Sequence, residues 1–215
     1  MSKHVPVTIL SAALLSGALL AGCGGSDTPA ASSDTGAGVT RTYTKPPPMA
    51  LDPAKTYTAT LETSKGTIVV KLAPAEARTT VNSFVFLARN RFYDGLTFHR
   101  VVTDFVIQGG DPEGNGRGGP GYTFADELPK SAYTIGDLAM ANSGPNTNGS
   151  QFFIITGNAG AQLPPSYSRF GHVTGGLKVA KAIEGLANPD APPTDPTAQT
   201  PTETVTITSV TITEQ

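Results

Sequence analysis

Apolar residues in the last three quarters of this chain come mainly in short runs, and the clearest of them keep a two-residue alternation. Tyr57, Ala59 and Leu61 alternate with Thr58, Thr60 and Glu62, and Ile68, Val70 and Leu72 alternate with Thr67, Val69 and Lys71. Successive side chains of an extended strand point to opposite faces, so this pattern specifies strands with one buried face. Ser64-Lys65-Gly66 between the runs supplies a turn and makes them a hairpin. Further strand-like runs lie at Thr97–Val102, Phe105–Gln108, Gly136–Ala141, Phe152–Thr156 and Arg169–Val173.

Two segments break this period. Val81, Phe84, Val85, Ala88 and Phe92 follow the i, i+3, i+4 spacing of an amphipathic helix, with Thr79 or Thr80 as its cap. A second short helix fits Leu177–Glu184. In the last strand Val205 and Ile207 share one parity and Val210 and Ile212 the other, which predicts a bulge at Thr208-Ser209. Many short strands with two helices point to a mostly antiparallel β-barrel, whose closure removes exposed edges. The Pro-rich stretch Asn188–Thr202 reads as an exposed loop.

The first quarter is different. Val5–Ala21 is an apolar run behind Lys3, short for a membrane-spanning helix and suited to an export signal. Leu20-Ala21-Gly22-Cys23 resembles a bacterial lipobox, with Cys23 as the lipidation site. The expected organisation is a lipoprotein signal peptide over 1–22, a lipidated Cys23 with a flexible Gly/Ser/Thr/Pro tether over 23–54, and one domain over 55–215. The protein would then sit on the extracytoplasmic face of a bacterial membrane, anchored through Cys23. Cys23 is the single cysteine, so the domain must hold by packing without a disulfide. A net charge of −2 with no basic run lacks the footprint of a nucleic-acid binder. No coiled coil or large amphipathic surface is visible, and a monomer is expected.

Several motifs fail on inspection. Gly114-Asn115-Gly116-Arg117-Gly118-Gly119 has the spacing of a dinucleotide turn, but Pro120-Gly121 follows where a helix must begin. Asp111, Glu113, Asn115 and Gly116 imitate a calcium loop whose twelfth position is Tyr122 rather than Glu. His99 and His172 lack a ligand pattern, so no metal and no cofactor is expected.

Three blocks carry chemistry. Phe98-His99-Arg100-Val101-Val102-Thr103-Asp104-Phe105-Val106-Ile107-Gln108-Gly109-Gly110-Asp111 is the first, and the second runs from Leu138 through Asn142-Ser143-Gly144-Pro145-Asn146-Thr147-Asn148-Gly149-Ser150-Gln151 to Phe152-Phe153-Ile154. The third is Phe170-Gly171-His172-Val173. By themselves Phe105, Phe153 and Leu163 could equally be core, and a lone arginine is usually a solvated charge. Together the blocks resemble the cyclophilin family of peptidyl-prolyl cis/trans isomerases from about Lys55 to the C-terminus.

The resemblance implies a closed eight-stranded antiparallel barrel capped by two α-helices, and proline-containing polypeptides as partners. It implies Arg100, Phe105 and Gln108 as catalytic residues. Phe105, Val106, Phe153 and Leu163 would form a proline pocket. Gln108, Gln151 and the backbone of Asn142 would hold the substrate peptide groups, while Ala141 and Ser143 leave room for the residue before proline. Val106 stands where many cyclophilins have Met. Gln162 and Tyr167 stand where the common eukaryotic pattern has Trp and His; Tyr167 is expected to bind substrate, and the missing Trp implies weak inhibition by cyclosporin. Folding of exported proteins is the expected role; a tethered proline-peptide binding module with little turnover is the alternative.

Overall fold

The computed structural model describes residues 42–192 and 199–215, so Cys23, the expected export signal and the first part of the expected tether lie outside the described residues. Eight strands form one antiparallel sheet in the order β3-β4-β6-β5-β7-β2-β1-β8. They are β1 (Tyr57–Thr63), β2 (Gly66–Leu72), β3 (Arg100–Val101), β4 (Val106–Gly109), β5 (Asp137–Met140), β6 (Phe152–Ile155), β7 (Arg169–Gly175) and β8 (Ile207–Glu214). The helices are α1 (Arg78–Arg89), the single turn α2 (Asn158–Ala161) and α3 (Leu177–Glu184).

Two expectations about this architecture are corrected. The sheet curls into a half-barrel and is not closed by its ladders, because β3 is only two residues long and cannot run along β8. The chain just before each end strand makes one isolated bridge, Thr97 to Thr206, with Phe98 N–H donating to Val205 O at 3.0 Å. There is also a third helix, α2, which the sequence periodicity cannot signal in so few residues.

The expected hairpin forms with Thr63 opposite Gly66, and Gly66 takes φ +123°. The predicted irregularity in the last strand is also present. Glu62 pairs with Ser209 and Thr63 with Ile207, so Thr208 is the extra residue. That insertion turns Val205, Ile207 and Val210 to the interior, all three buried.

Helix α1 begins and ends differently from expectation. Neither Thr79 nor Thr80 is its cap; Ala77 holds that position and offers no side-chain hydrogen bond. Glu127, far along the chain, accepts from the backbone N–H of Thr79 at 3.0 Å and of Thr80 at 2.8 Å, and from the Thr80 hydroxyl at 2.8 Å. Its carboxylate satisfies the orphan donors of the first turn and complements the positive end of the helix. Glu127→Ala should therefore cost about 1 kcal/mol, seen as a fall in Tm of roughly 2–4 °C by calorimetry. At the other end Arg91 adopts φ +56° and Phe92 N–H donates to Leu87 O at 2.9 Å, so Phe92 lies beyond the helix and still packs in the core.

The interior of the half-barrel holds Phe84 of α1 against Tyr93, Phe152 and Phe170, with ring centroids 5.1, 5.9 and 5.2 Å apart. Such tilted and edge-on pairs are favoured by the ring quadrupoles. Burial of Tyr93 pushes its hydroxyl well above the usual tyrosine range, and that hydroxyl donates to Ser150 O at 3.3 Å.

Within the stretch expected to be tether, residues 42–50 are largely exposed but make a few defined contacts with the domain. Leu51 is buried, and Asn82 on α1 donates to Pro48 O at 3.1 Å.

Candidate active site

The sheet strands β4, β5 and β6 are buried on both faces, and that divides their side chains into two sets. Ile107, Leu138, Met140, Phe152 and Ile154 point into the half-barrel and join the main core. Their neighbours Val106, Ala139, Phe153 and Ile155 point outward and form a second apolar cluster with Tyr133. Phe105, Ala141, Leu163 and Tyr167 pack around this outer cluster. A continuous run such as Phe152-Phe153-Ile154-Ile155 is thus divided between the main core and the outer cluster.

Over the outer cluster opens a groove of about 540 Å³. Of the expected site residues, Arg100, Phe105, Val106, Gln108, Ala141, Asn142, Phe153, Leu163 and Tyr167 all line it. Ser143 and Gln151 do not; they line an adjoining groove of about 850 Å³ that shares Gln108, Ala141 and Asn142 with the first. Gln162 lines neither groove.

Arg100 stands directly opposite Gln108 in the register of β3 and β4, so pairing geometry sets these side chains together. Its Nη1 donates to Gln108 Oε1 at 3.1 Å and its Nε to Gln199 Oε1 at 2.5 Å. The guanidinium carbon lies 5.6 Å from the Phe105 ring centroid, a cation–π contact. The chain of bonds continues: Gln108 Nε2 donates to Gln151 Oε1 at 3.0 Å, and Gln151 Nε2 to Gly118 O at 2.9 Å. Arg100 and Gln108 thus give this groove a wall of donors and acceptors, continued by Gln151 and Gly118 in the adjoining groove, and face an apolar wall. Burial moves Arg100 down from its ordinary value, opposed by Tyr167, yet the guanidinium stays charged across the physiological range.

The apolar wall is braced from behind. Phe153 and Tyr167 meet edge-on at 5.3 Å, and Tyr133 Oη both donates to Tyr167 O at 2.6 Å and accepts from Tyr167 N–H at 3.0 Å. Asn142 Nδ2 donates to Ser166 O at 3.1 Å, tying the second block to the segment that carries Leu163 and Tyr167.

Sequence reasoning missed several residues here. His99, Gly114, Asn115, Gly116 and Thr200 also line the groove. The glycine-rich loop rejected as a phosphate or calcium site is a wall, held by Asp111. That buried carboxylate accepts from the N–H groups of Glu113, Asn115 and Gly116. The expectation of an exposed loop over 188–202 fails at Gln199, which is buried against Arg100. Residues 193–198 of that loop lie outside the described residues. Nothing local in Pro-rich sequence marks Gln199 as a partner of Arg100.

His99 beside Arg100 has both ring nitrogens buried without a hydrogen-bond partner among the described residues. Burial lowers its pKa, Asp111 opposes, and Arg100 adds to the lowering. The unfolded chain protonates His99 near pH 6.5, whereas the folded chain resists. Its folded pKa is the depressed one, so stability is full above the unfolded value of about 6.5 and is lost as pH falls from there through the lower folded value. Denaturant unfolding of the native chain and His99→Gln from pH 8 to 5 should show a steeper acid-side loss in the native chain. Equal slopes would remove His99 as the cause.

Residues 58–212 match the family model described as cyclophilin type peptidyl-prolyl cis-trans isomerase/CLD. Peptidyl-prolyl cis-trans isomerase B of Streptomyces anulatus is 46% identical over 173 residues, covering 72% of this chain and 95% of that one. Peptidyl-prolyl cis-trans isomerase-like 1 of Rhizopus delemar is 47% identical over 136 residues, covering 61% of this chain and 81% of the relative. A cyclophilin type isomerase of Cryptosporidium parvum superposes with a TM-score of 0.64 at 31% identity, over 74% of this chain and 98% of its own. The same parasite protein, crystallised in the presence of the dipeptide Ala-Pro, gives 0.63 at 31% over 73% and 98%.

Proposed function

We infer the workings of the groove from one premise: this chain belongs to the cyclophilin type peptidyl-prolyl cis-trans isomerase family and is an isomerase of X-Pro peptide bonds. The reaction makes and breaks no covalent bond. Its obstacle is delocalisation of the peptide nitrogen lone pair into the carbonyl, a barrier of about 18–20 kcal/mol for an ordinary peptide bond. Uncatalysed X-Pro bonds exchange over roughly tens to hundreds of seconds. A protein lowers the barrier by gripping the proline, anchoring the backbone and favouring the twisted state.

In our reading the proline ring enters the apolar wall formed by Phe105, Val106, Phe153 and Leu163, with Tyr167 behind it. Gln108, Gln151 and the Asn142 backbone hold the flanking peptide groups, and Ala141 and Ser143 leave space for the preceding residue. Arg100 donates to the proline nitrogen once twisting has localised its lone pair. One observation carries this assignment: a half-buried guanidinium over the Phe105 ring, held by Gln108 where polar and apolar walls meet. The Ala-Pro dipeptide used with the parasite relative supports proline-containing polypeptides as substrates.

The leader sequence supports a finer reading, in which a monomer anchored by lipidated Cys23 assists folding of exported proteins at a bacterial membrane. Two experiments test these readings. Exchange spectroscopy on a short X-Pro peptide should show cis-trans interconversion accelerated by the native chain; binding without acceleration would leave only a binding module. Labelled palmitate supplied to a bacterial host should enter the native chain and be absent from Cys23→Ser; equal labelling would remove the anchor.

A further inference from the structure

Residues 42–51 precede the first strand, yet specific contacts hold the segment at both ends. Asn82, buried on α1, grips it with its whole amide: Oδ1 accepts the Ala50 N–H at 2.9 Å and Nδ2 donates to Pro48 O at 3.1 Å. At the other end the Tyr43 N–H donates to Pro120 O at 2.8 Å. The Tyr43 ring stands edge-on to Phe86 at 5.0 Å and to Tyr122 at 6.4 Å. Gly121, at φ +85°, lies so close that a Cβ there would meet Tyr43 O at 2.5 Å. Pro46-Pro47-Pro48 stiffens the chain between the two attachments.

The Tyr43 end reaches the binding surface. Thr42 stands at the adjoining groove, together with Gly118, Gly121, Tyr122, Ser143 and Gln151. The loop it touches, Arg117-Gly118-Gly119-Pro120-Gly121, is poor in side chains that could pack it in place, and glycine gives its backbone wide freedom. Besides the Arg117 N–H bond to neighbouring Asn115 Oδ1, two bonds from distant residues restrain that loop: Gln151 Nε2 to Gly118 O, and Tyr43 N–H to Pro120 O. The first belongs to the row of bonds that ends at Arg100, so the loop joins the strap to the catalytic wall.

We propose that residues 42–51 are a substrate-positioning strap, which holds the Gly118–Tyr122 wall of the adjoining groove and thereby sets affinity for polypeptide residues flanking the X-Pro bond. The strap acts through the loop and does not touch the reacting bond. This assignment rests on the isomerase reading of the Arg100 groove.

The test uses the full chain with Tyr43→Ala and Tyr43→Phe, and two substrates: a blocked Ala-Pro dipeptide and the same core extended by several residues on each side. Tyr43→Ala should raise KM for the extended peptide roughly fivefold, the scale of a lost aromatic contact. Its kcat and its KM for the dipeptide should stay native, and Tyr43→Phe, which keeps the ring, should restore the extended-peptide KM. An unchanged extended-peptide KM, or equal rises on both substrates, would overturn the strap. If the native chain turned over neither substrate, the isomerase reading would fail while calorimetric affinities still decide the strap. Weaker binding of the extended peptide alone in Tyr43→Ala would sustain it, and equal affinities would end it.

Discussion

Arg100→Ala is expected to lower kcat for an X-Pro peptide by about 10²–10³-fold while peptide affinity stays close to native. The asymmetry follows from when the interaction exists. In the ground state the proline nitrogen is part of a conjugated amide and is a poor acceptor, so the guanidinium gains little from it. In the twisted state the lone pair returns to nitrogen, and a preorganised donor then stabilises it without reorganising. A contact made only in the transition state appears in kcat and leaves binding alone. Arg100 is already held, by Gln108 through Nη1 and by Gln199 through Nε, over Phe105. Arg100→Lys should recover little, because a single ammonium cannot keep those bonds and reach the substrate at once. The check is turnover and calorimetric affinity on the same peptide; parallel loss of both would make Arg100 a binding residue and remove it from the twisting step.

The second large effect is on stability and comes from a glycine that no motif explains. Gly157→Ala should unfold about 5–10 °C below the native chain in calorimetry, the shift a few kcal/mol produce in a domain of this size. A Cβ at Gly157 would fall 1.9 Å from the Asp104 carbonyl carbon, with no flexible side chain to yield. The clash lies at a crowded junction. The turn between β3 and β4 receives Thr156 N–H and Gly157 N–H on Phe105 O, and Ala159 N–H on Asp104 O. Asp104, at φ +55°, also donates its N–H to Glu184 of α3 at 2.6 Å. Moving this turn moves Phe105 off Arg100, so turnover should fall along with Tm. Gly119→Ala is the contrast: its Cβ would meet nothing within 4 Å, and Tm should hold. A native Tm in Gly157→Ala would show that the junction relaxes freely and does not position Phe105.

Much of this molecule was legible in the sequence where the governing physics is local. The alternation of Tyr57, Ala59 and Leu61 against Thr58, Thr60 and Glu62 is the pleat written in residues, and those three are the buried ones. The parity change between Ile207 and Val210 could be satisfied only by an inserted residue, and Thr208 is that residue. Helix α3 occupies Leu177–Glu184 as its spacing requires. The long blocks around Arg100 and Asn142 carried the family, and their side chains do converge on a common pair of grooves.

What periodicity could not supply is the identity of distant partners. Alternation says that Phe152 and Phe153 face opposite ways; it cannot say that one enters the core and the other lines a groove. That distinction arises only when Leu163 and Tyr167 are folded over the outer face. Likewise Thr79 and Thr80 looked like caps because capping is usually local, but Glu127 reaches the α1 terminus from 47 residues away. Gln199 meets Arg100 across 99 residues, and Asn82 clamps Pro48 across 34. The sequence by itself determined the strands, the bulge, the second predicted helix and the family. The tertiary structure decided the open half-barrel, the cap on α1, the second partner of Arg100 and the Asn82 clamp on Pro48. A strand or helix is selected by neighbours along the chain, whereas a site is made by residues whose proximity exists only after the chain has folded.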